Sequence, residues 1–523
     1  MEMPFVSNTH NVRHLLETNY VPSLAEQKSV WDVISAQEEK LSTVSSEIAS
    51  LKERLIFLET ERDSLQESLR LLKGLSSLIR RLPEEILAEI FVFSSISPIP
   101  PLPKYGYDQK SREISLDNPP FILFRVCKRW KRIAIQTPRL FTQMILRKGL
   151  SEPTINPYAV LPLWLRYSGS LPLEVHFRLP RHFRWKPLQI RLNLPDLFGP
   201  LKPELQRITT LVLTTQNSLP VLFPPNTTTD LPLLKELRLL DDIYATERDT
   251  IGTVMVGGVT DAEMKLMDHL LRSFRFGKNL VNFKGATEPN GLIQLFLQSP
   301  NLESCKIKYT QFSEELPLAL RSPIFLPYLS SLELKCSPTN ELLSPILPYL
   351  RTPTLRDLSI RREDSEGEDF LLPFITSWLE HSEVKLDYLS LALCHLNIWP
   401  NDLRALLHLL PTLPHLRLHS GEFTSELLAV LNATINPDIL PSLTKLELIN
   451  SYDLPLFGTI EVLRSRLNNQ SNSGNRKLLQ KFVGHDVFHW MDNEDVEMDD
   501  DEAFEILRSE FPDLEMDLAI VYK

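Results

Sequence analysis

The sequence predicts a three-part α/β protein: a long N-terminal helix, a small all-α module, and an array of strand–helix units. Three observations carry this reading. Residues 34–72 contain neither proline nor glycine and repeat apolar residues every three and four positions. Two short apolar helical stretches follow, separated by a proline-rich segment. The remainder repeats the pattern L-x-x-L-x-L in phase with proline.

Composition narrows the function classes. The 523 residues carry 56 Lys+Arg against 67 Asp+Glu, a net charge of −11. That balance argues against a general nucleic-acid binder, whose affinity comes mostly from neutralising phosphates. Forty prolines stand beside sixteen glycines, where average usage gives roughly 26 and 37. Few glycines count against folds that bring backbone close to phosphates. No Walker loop, G-x-G-x-x-G, H-E-x-x-H or G-x-S-x-G is present. No enzyme activity and no cofactor is therefore expected. Cys127, Cys305, Cys336 and Cys394 lie far apart, and the His408, His415 and His419 cluster has no Cys or carboxylate at ligand spacing, so no metal is expected. The first residues lack a signal-peptide layout, and no run of eighteen apolar residues occurs. These features predict a cytoplasmic or nuclear chain with reduced thiols, outside the membrane.

Residues 1–28 read as a flexible N-terminus and 29–75 as a coiled-coil helix. With Ile34 at a, the a positions are Ile34, Leu41, Ile48, Leu55, Arg62 and Leu69. The d positions are Gln37, Val44, Leu51, Leu58, Leu65 and Leu72, so ten of twelve seam positions are apolar. Glu47–Lys52 and Arg54–Glu59 have the g-to-e′ spacing that attracts in a parallel homodimer through residues 34–72. The competing reading is a long amphipathic helix folded onto its own chain.

Residues 76–148 form the small module. It opens on Leu82-Pro83-Glu84-Glu85-Ile86-Leu87-Ala88-Glu89-Ile90-Phe91. Proline suits a first helical position, and Glu84 and Glu85 complement the helix dipole. Ile86, Leu87, Ile90 and Phe91 form an apolar stripe that requires a partner surface. After a proline-rich loop over about 94–120, a second helix is expected over Phe124–Ala134, stopped by Thr137-Pro138. Val126, Trp130, Ile133 and Ala134 share its apolar face.

These two halves, LPEEILAEIF and VCKRWKRIAIQTPRLF, resemble the F-box in order and helical phase. Phe141 stands where the family usually has Trp, and the loop of roughly twenty-five residues exceeds that of a minimal F-box. Together with the preceding heptads and the later leucine-rich region, the chain resembles the large F-box family of mushroom-forming fungi. The resemblance implies a three-helix module that docks on the Skp adaptor of a cullin–RING ubiquitin ligase. Carried over, Leu82, Pro83, Ile86, Leu87, Ile90 and Phe91 would pack on the adaptor, helped by Val126 and Trp130.

Residues 149–490 read as an irregular leucine-rich-repeat-like α/β solenoid. Its units are Leu234/Leu237/Leu239, Leu302/Cys305/Ile307, Leu329/Leu332/Leu334, Leu355/Leu358/Ile360, Leu386/Leu389/Leu391, Leu413/Leu416/Leu418 and Leu443/Leu446/Leu448. Weaker units are Trp185/Leu188/Ile190, Ile208/Leu211/Leu213 and Leu280/Phe283. In six of the seven strong units a proline lies two residues before the first leucine: Pro232, Pro300, Pro327, Pro353, Pro411 and Pro441. There it needs no ladder donor and stops the incoming helix. Helices are expected over Asn290–Gln298, Phe370–His381, Asp402–Leu410 and Ser425–Thr434. Such units bury their apolar faces only by stacking. The competing reading is a compact leucine-rich α/β domain.

Residues between the strand leucines would line a concave face: Arg238, Lys306, Glu333, Asp357, Tyr388, Arg417 and Glu447, with their neighbours Glu236, Ser304, Ser331, Ser359, Ser390, His415 and Lys445. Mixed charge there suits a target protein better than a small molecule, with the helix-to-strand loops as competing surface. Gly257-Gly258 reads as an insertion turn in a gap between repeats, and the basic–aromatic stretch Phe177–Arg191 as a repeat strand with a wet face. Residues 491–523 read as an acidic segment and C-terminal cap or tail, with eight acidic residues in the eleven from Asp492 to Glu502. The expected role is a non-catalytic F-box substrate receptor linking a target protein to the ligase. The alternatives are an F-box scaffold outside ubiquitin transfer and a leucine-rich enzyme or scaffold with no link to ubiquitin.

Overall fold

The computed structural model describes residues 16–95 (save 19), 120–147, 157–178, 194–213, 219–239, 250–287 (save 266–267), 289–308, 322–336, 346–362, 371–393, 400–419, 423–449, 453–467 and 478–519 (save 486–488, 492–496 and 499). It is mixed α/β, and the chain divides into two compact units, Met1–Leu87 and Ala88–Lys523. No helix among the described residues is long and apolar enough to cross a membrane.

Helix α1 (Leu24–Ser76) fills most of the first unit. It starts earlier than the heptads require because Ser23 and Glu26 form a capping box: Glu26 accepts the Ser23 N–H at 2.8 Å, and the Ser23 hydroxyl accepts the Glu26 N–H at 3.4 Å. None of its 53 residues is buried. Helix α2 (Glu84–Ser95) begins just after Pro83, whose carbonyl accepts the Leu87 N–H at 3.1 Å. Proline thus sits at the cap instead of the first helical position.

The single helix expected over Phe124–Ala134 is two: α3 (Phe121–Val126) and α4 (Lys128–Ile135). Cys127 between them is fully extended, at φ −164° and ψ 167°, and its sulfur caps α4 by accepting the Trp130 N–H at 3.4 Å. The break takes Val126 off the shared face: it is exposed, whereas Ile133 and Ala134 are buried. Phe141 is buried in a cluster of rings, 5.8 Å from Trp164 and 5.2 Å from Tyr167, and its carbonyl accepts the Trp164 indole N–H at 2.7 Å. The module therefore shares its core with the helix Pro157–Tyr167 beyond the border expected at 148.

The rest is built on a fourteen-stranded sheet whose strands follow chain order. These are β1 (Gln143–Arg147), β2 (Leu173–Arg178), β3 (Ile208–Leu213), β4 (Glu236–Leu239), β5 (Asp261–Lys265), β6 (Asn282–Ala286), β7 (Ser304–Lys308), β8 (Ser331–Cys336), β9 (Asp357–Arg362), β10 (Tyr388–Leu393), β11 (His415–His419), β12 (Lys445–Ile449), β13 (Lys481–His485) and β14 (Glu515–Ala519). Every neighbouring pair is parallel. All the leucine, isoleucine, cysteine and phenylalanine positions of the repeat pattern that are described are buried. Burying each such side chain contributes roughly 1.5–3 kcal/mol.

The phased prolines have a different place from the one expected. In all six units the N–H of the first leucine returns to the carbonyl three residues back, as from Leu234 to Leu231 at 3.2 Å and from Leu355 to Thr352 at 3.1 Å. Proline is the second residue of that turn, where its fixed φ fits. The element before it is often no helix: the short strands Thr228–Asp230, Ile324–Phe325 and Leu350–Arg351 precede Pro232, Pro327 and Pro353. The unit without this proline turns instead at Glu383, in the left-handed region at φ 50°. After each turn, paired N–H groups commonly meet one carbonyl of the preceding unit, as Arg356 and Asp357 meet Ser330 at 2.8 and 2.9 Å.

Gly257-Gly258 is not an insertion. It forms the turn of a further unit, closed from Val259 to Val256 at 3.2 Å, with Gly257 in the place of proline and Val259, Ala262 and Met264 buried in the leucine places. The helices Pro289–Gln298, Leu371–Ser382, Pro400–His408 and Ser425–Leu431 lie near the expected positions. At the C-terminus, helix Asp500–Glu510 leads into β14, so residues 515–519 extend the sheet instead of trailing from it. The unit at Trp185, Leu188 and Ile190, most of the basic–aromatic stretch, the proline-rich loop and much of the acidic run lie outside the described residues.

Candidate functional site

Two surfaces gather the residues singled out by the sequence. On α2, Ile86 and Ile90 are exposed at 49% and 42%, and Phe93 extends the same stripe at 84%. Pro83, before the helix, and Val126 are exposed as well, and Leu82 is half-buried. Leu87 and Phe91 turn the other way and are buried. Phe91 packs on Trp130, with ring centroids 4.7 Å apart. The eight residues therefore divide between an outward group and an internal support. Phe93 was missed because the sequence reading stopped at Phe91, although the i+3 spacing from Ile90 marks it.

The second surface is the polar face of the sheet. Parallel register aligns its alternate residues into rows across the strands. One row runs Glu236, Asp261, Asn282, Ser304, Ser331, Asp357, Tyr388, His415, Lys445 and Lys481. The next runs Arg238, Glu263, Lys284, Lys306, Glu333, Ser359, Ser390, Arg417 and Glu447. Within and between these rows charges pair: Arg238–Glu236 at 2.6 Å, Lys284–Glu263 at 2.7 Å and Lys306–Glu333 at 3.2 Å. Burial raises the Glu333 carboxyl, but Lys306 and Lys335 outweigh it and hold the group below its ordinary range.

The densest part lies on β9–β12, around Glu447. Its carboxylate meets His415 Nε2 at 2.8 Å, Lys445 Nζ at 2.5 Å and Arg417 Nε at 3.5 Å. Its side chain is only 8% exposed. Burial pushes its carboxyl up, yet hydrogen bonds from His415 and Lys445 and their charges hold it down to about 2. Arg417 Nε also donates to His419 Nε2 at 2.9 Å, and Tyr388 packs on the His415 ring at 4.6 Å between centroids. Burial, then the charges of Arg417 and Arg361, push His419 down to about 4. His419 is thus a neutral acceptor among cations.

The arrangement can hold a polar surface in one geometry and present Arg361, Arg417 and Lys445 around a neutralised carboxylate. Among the described residues no group of three or more His, Cys, Asp and Glu is placed to hold a metal ion. Arg238 lies on the same face away from this centre, and Asp357 stands at its edge, in register with Tyr388. The convergence on Glu447 follows from register, which the linear pattern does not reveal. Compared with known proteins, the chain matches no family model, and no curated protein sequence matches it.

Proposed function

We propose that the chain is a non-catalytic substrate receptor of a cullin–RING ubiquitin ligase, an F-box module followed by an irregular leucine-rich-repeat-like solenoid. The observation that carries this reading is the α2 stripe. Leu82-Pro83 leads into a helix that holds Ile86, Ile90 and Phe93 outward, while Phe91 is packed beneath on Trp130 of the second half-motif. An exposed apolar stripe rimmed by Glu84, Glu85 and Glu89 fits a protein partner, here the Skp adaptor. The in-order parallel strands, six of them entered through a proline turn, support a solenoid. Its polar face, with the Glu447 cluster as its most ordered part, would hold the target. Catalysis would be by proximity, bringing a target lysine to a charged ubiquitin-conjugating enzyme.

The test is capture of the purified Skp adaptor by the full chain. Ile90→Asp and Phe93→Asp should abolish capture while leaving the unfolding transition in place, because both side chains are exposed. Retention of full adaptor binding by the double variant would sink the proposal. Affinity purification of wild type beside this variant then separates ligase machinery, lost from the variant, from targets, retained by it. Adaptor recovered without any cullin would favour the scaffold alternative. Arg417→Glu with Lys445→Glu should release targets and keep the adaptor.

A further inference from the structure

We infer that α1 is one strand of a parallel, in-register, two-stranded coiled coil whose other strand is a second copy of this chain. The inference does not rest on the ligase reading. Helix α1 is 53 residues long, about 80 Å at 1.5 Å per residue. Nine of its seam residues, Leu41, Val44, Ile48, Leu51, Leu55, Leu58, Leu65, Leu69 and Leu72, are between 47% and 68% exposed. A helix on its own chain's core would bury such a stripe.

Charge chooses the occupant and its direction. In a parallel homodimer Glu47 meets Lys52 and Arg54 meets Glu59 of the second copy, and none of the five g-to-e′ pairs within the seam sets like charges together. Reversing one helix with full overlap sets residue 34 against residue 72. Flanking contacts then become g-to-g′ and e-to-e′: Arg54 meets Arg54, Lys52 meets Lys52, and Glu47 meets Glu61. Each is repulsive, so the antiparallel form is disfavoured by the residues that favour the parallel one. Arg62 at an a position acts in the same sense. A single polar a residue fixes register and strand number at some cost in stability. Its guanidinium already reaches Asp63 at 2.7 Å on its own helix, and in the parallel pair Glu61 at the neighbouring g position of the second copy lies beside it. A parallel pair brings both C-terminal ends of α1 together. The two copies of α2, a few residues further along, therefore leave from the same end.

Light scattering and sedimentation of the full chain should give twice the monomer mass. Leu51→Lys with Leu58→Lys should return it to monomer mass with the sheet's unfolding transition unchanged. Direction is read in a background with Cys127, Cys336 and Cys394 replaced by serine and a cysteine at one seam position. Gln37→Cys alone and Leu72→Cys alone should each oxidise to a linked dimer, because like d residues face one another. Cross-linking of Leu72→Cys only when it is mixed with Ile34→Cys, the residue it faces in the reversed pair, would establish the antiparallel form and overturn the inference. A monomer at tens of micromolar, or a trimer, would overturn it as well. Arg62→Glu should weaken the dimer at least tenfold, since the new carboxylate faces Glu61. Adaptor capture by a monomeric wild type would sink the coiled coil while leaving the ligase reading intact.

Discussion

Helix α1 and the parallel sheet are both rich in leucine, yet they place it in opposite ways. Along α1 the apolar residues recur every three or four positions, and none is buried by the chain itself. In β3 to β12 they alternate with polar residues, and the inward positions are closed off almost completely by the strands before and after. A period of 3.5 residues gathers side chains into a seam that only another helix can match. A period of two sorts them between two faces, and the next unit of the same chain covers one of them. The difference teaches that proline, more than leucine, separates the two regions. It is absent from 34–72 and forms the second residue of the strand-entry turn in six of the seven strong units.

The comparison can be broken most directly by deletion in each region. Leu389→Ala, at a side chain with no exposed surface, should lower the stability of the sheet by about 2–5 kcal/mol. Leu55→Ala on α1 should leave that transition within about 0.5 kcal/mol. Urea unfolding followed by tryptophan fluorescence reads both, and equal losses would erase the distinction.

Acid should act next, and on the sheet. His419 is held down to about 4 from an ordinary 6.5, so the unfolded chain binds more protons between those values. Its contribution is present above 6.5 and is lost as pH falls toward 4. Glu447, held down to about 2, loses its own contribution between 4.5 and 2. Both slopes have the same sign: stability falls on acidification. His419→Gln keeps an acceptor for Arg417 without a titrating ring. It should flatten the upper window and leave the lower one. An unchanged slope between pH 6.5 and 4 would remove His419 from the account.

The smallest effect belongs to the turn. Pro353→Ala keeps the bond from Leu355 to Thr352 but loosens the unfolded chain. It should cost about 0.4–1 kcal/mol, measured by the same urea transition. A loss as large as that of Leu389→Ala would mean that the ring packs as core.

Much of this architecture was legible in the sequence wherever a residue type and a position coincide. The units beginning at Leu302, Leu329, Leu355, Leu386, Leu413 and Leu443 are all strand entries. β2, β5 and β13 escaped the pattern because their inward places hold Val175 and Phe177, Ala262 and Met264, and Phe482 and Gly484. Stacking requires apolar volume, not leucine, and a pattern of letters is stricter than the packing it represents. The start of α1 at Leu24 falls inside the stretch 1–28 expected to be a flexible N-terminus, although Ser23 and Glu26 have capping-box spacing. The break at Cys127 was not in view, because a sulfur cap leaves no usual signal. On the candidate site, alternation placed Arg417 and Glu447 on one face. That His415 and Lys445 converge on the same carboxylate, and that His419 lies beside Arg417 as an acceptor, depends on strand register.

The carbonyl that receives two N–H groups at many of the strand entries has an evolutionary corollary. Alignment between adjacent units is set at that junction, by Ser330 for one and Pro414 for another. A unit gained or lost between two such junctions leaves the junctions on either side with the same donors and the same acceptor. Heredity acts on such a chain as an editor that cuts between verses, and the number of verses is the easiest thing for it to alter.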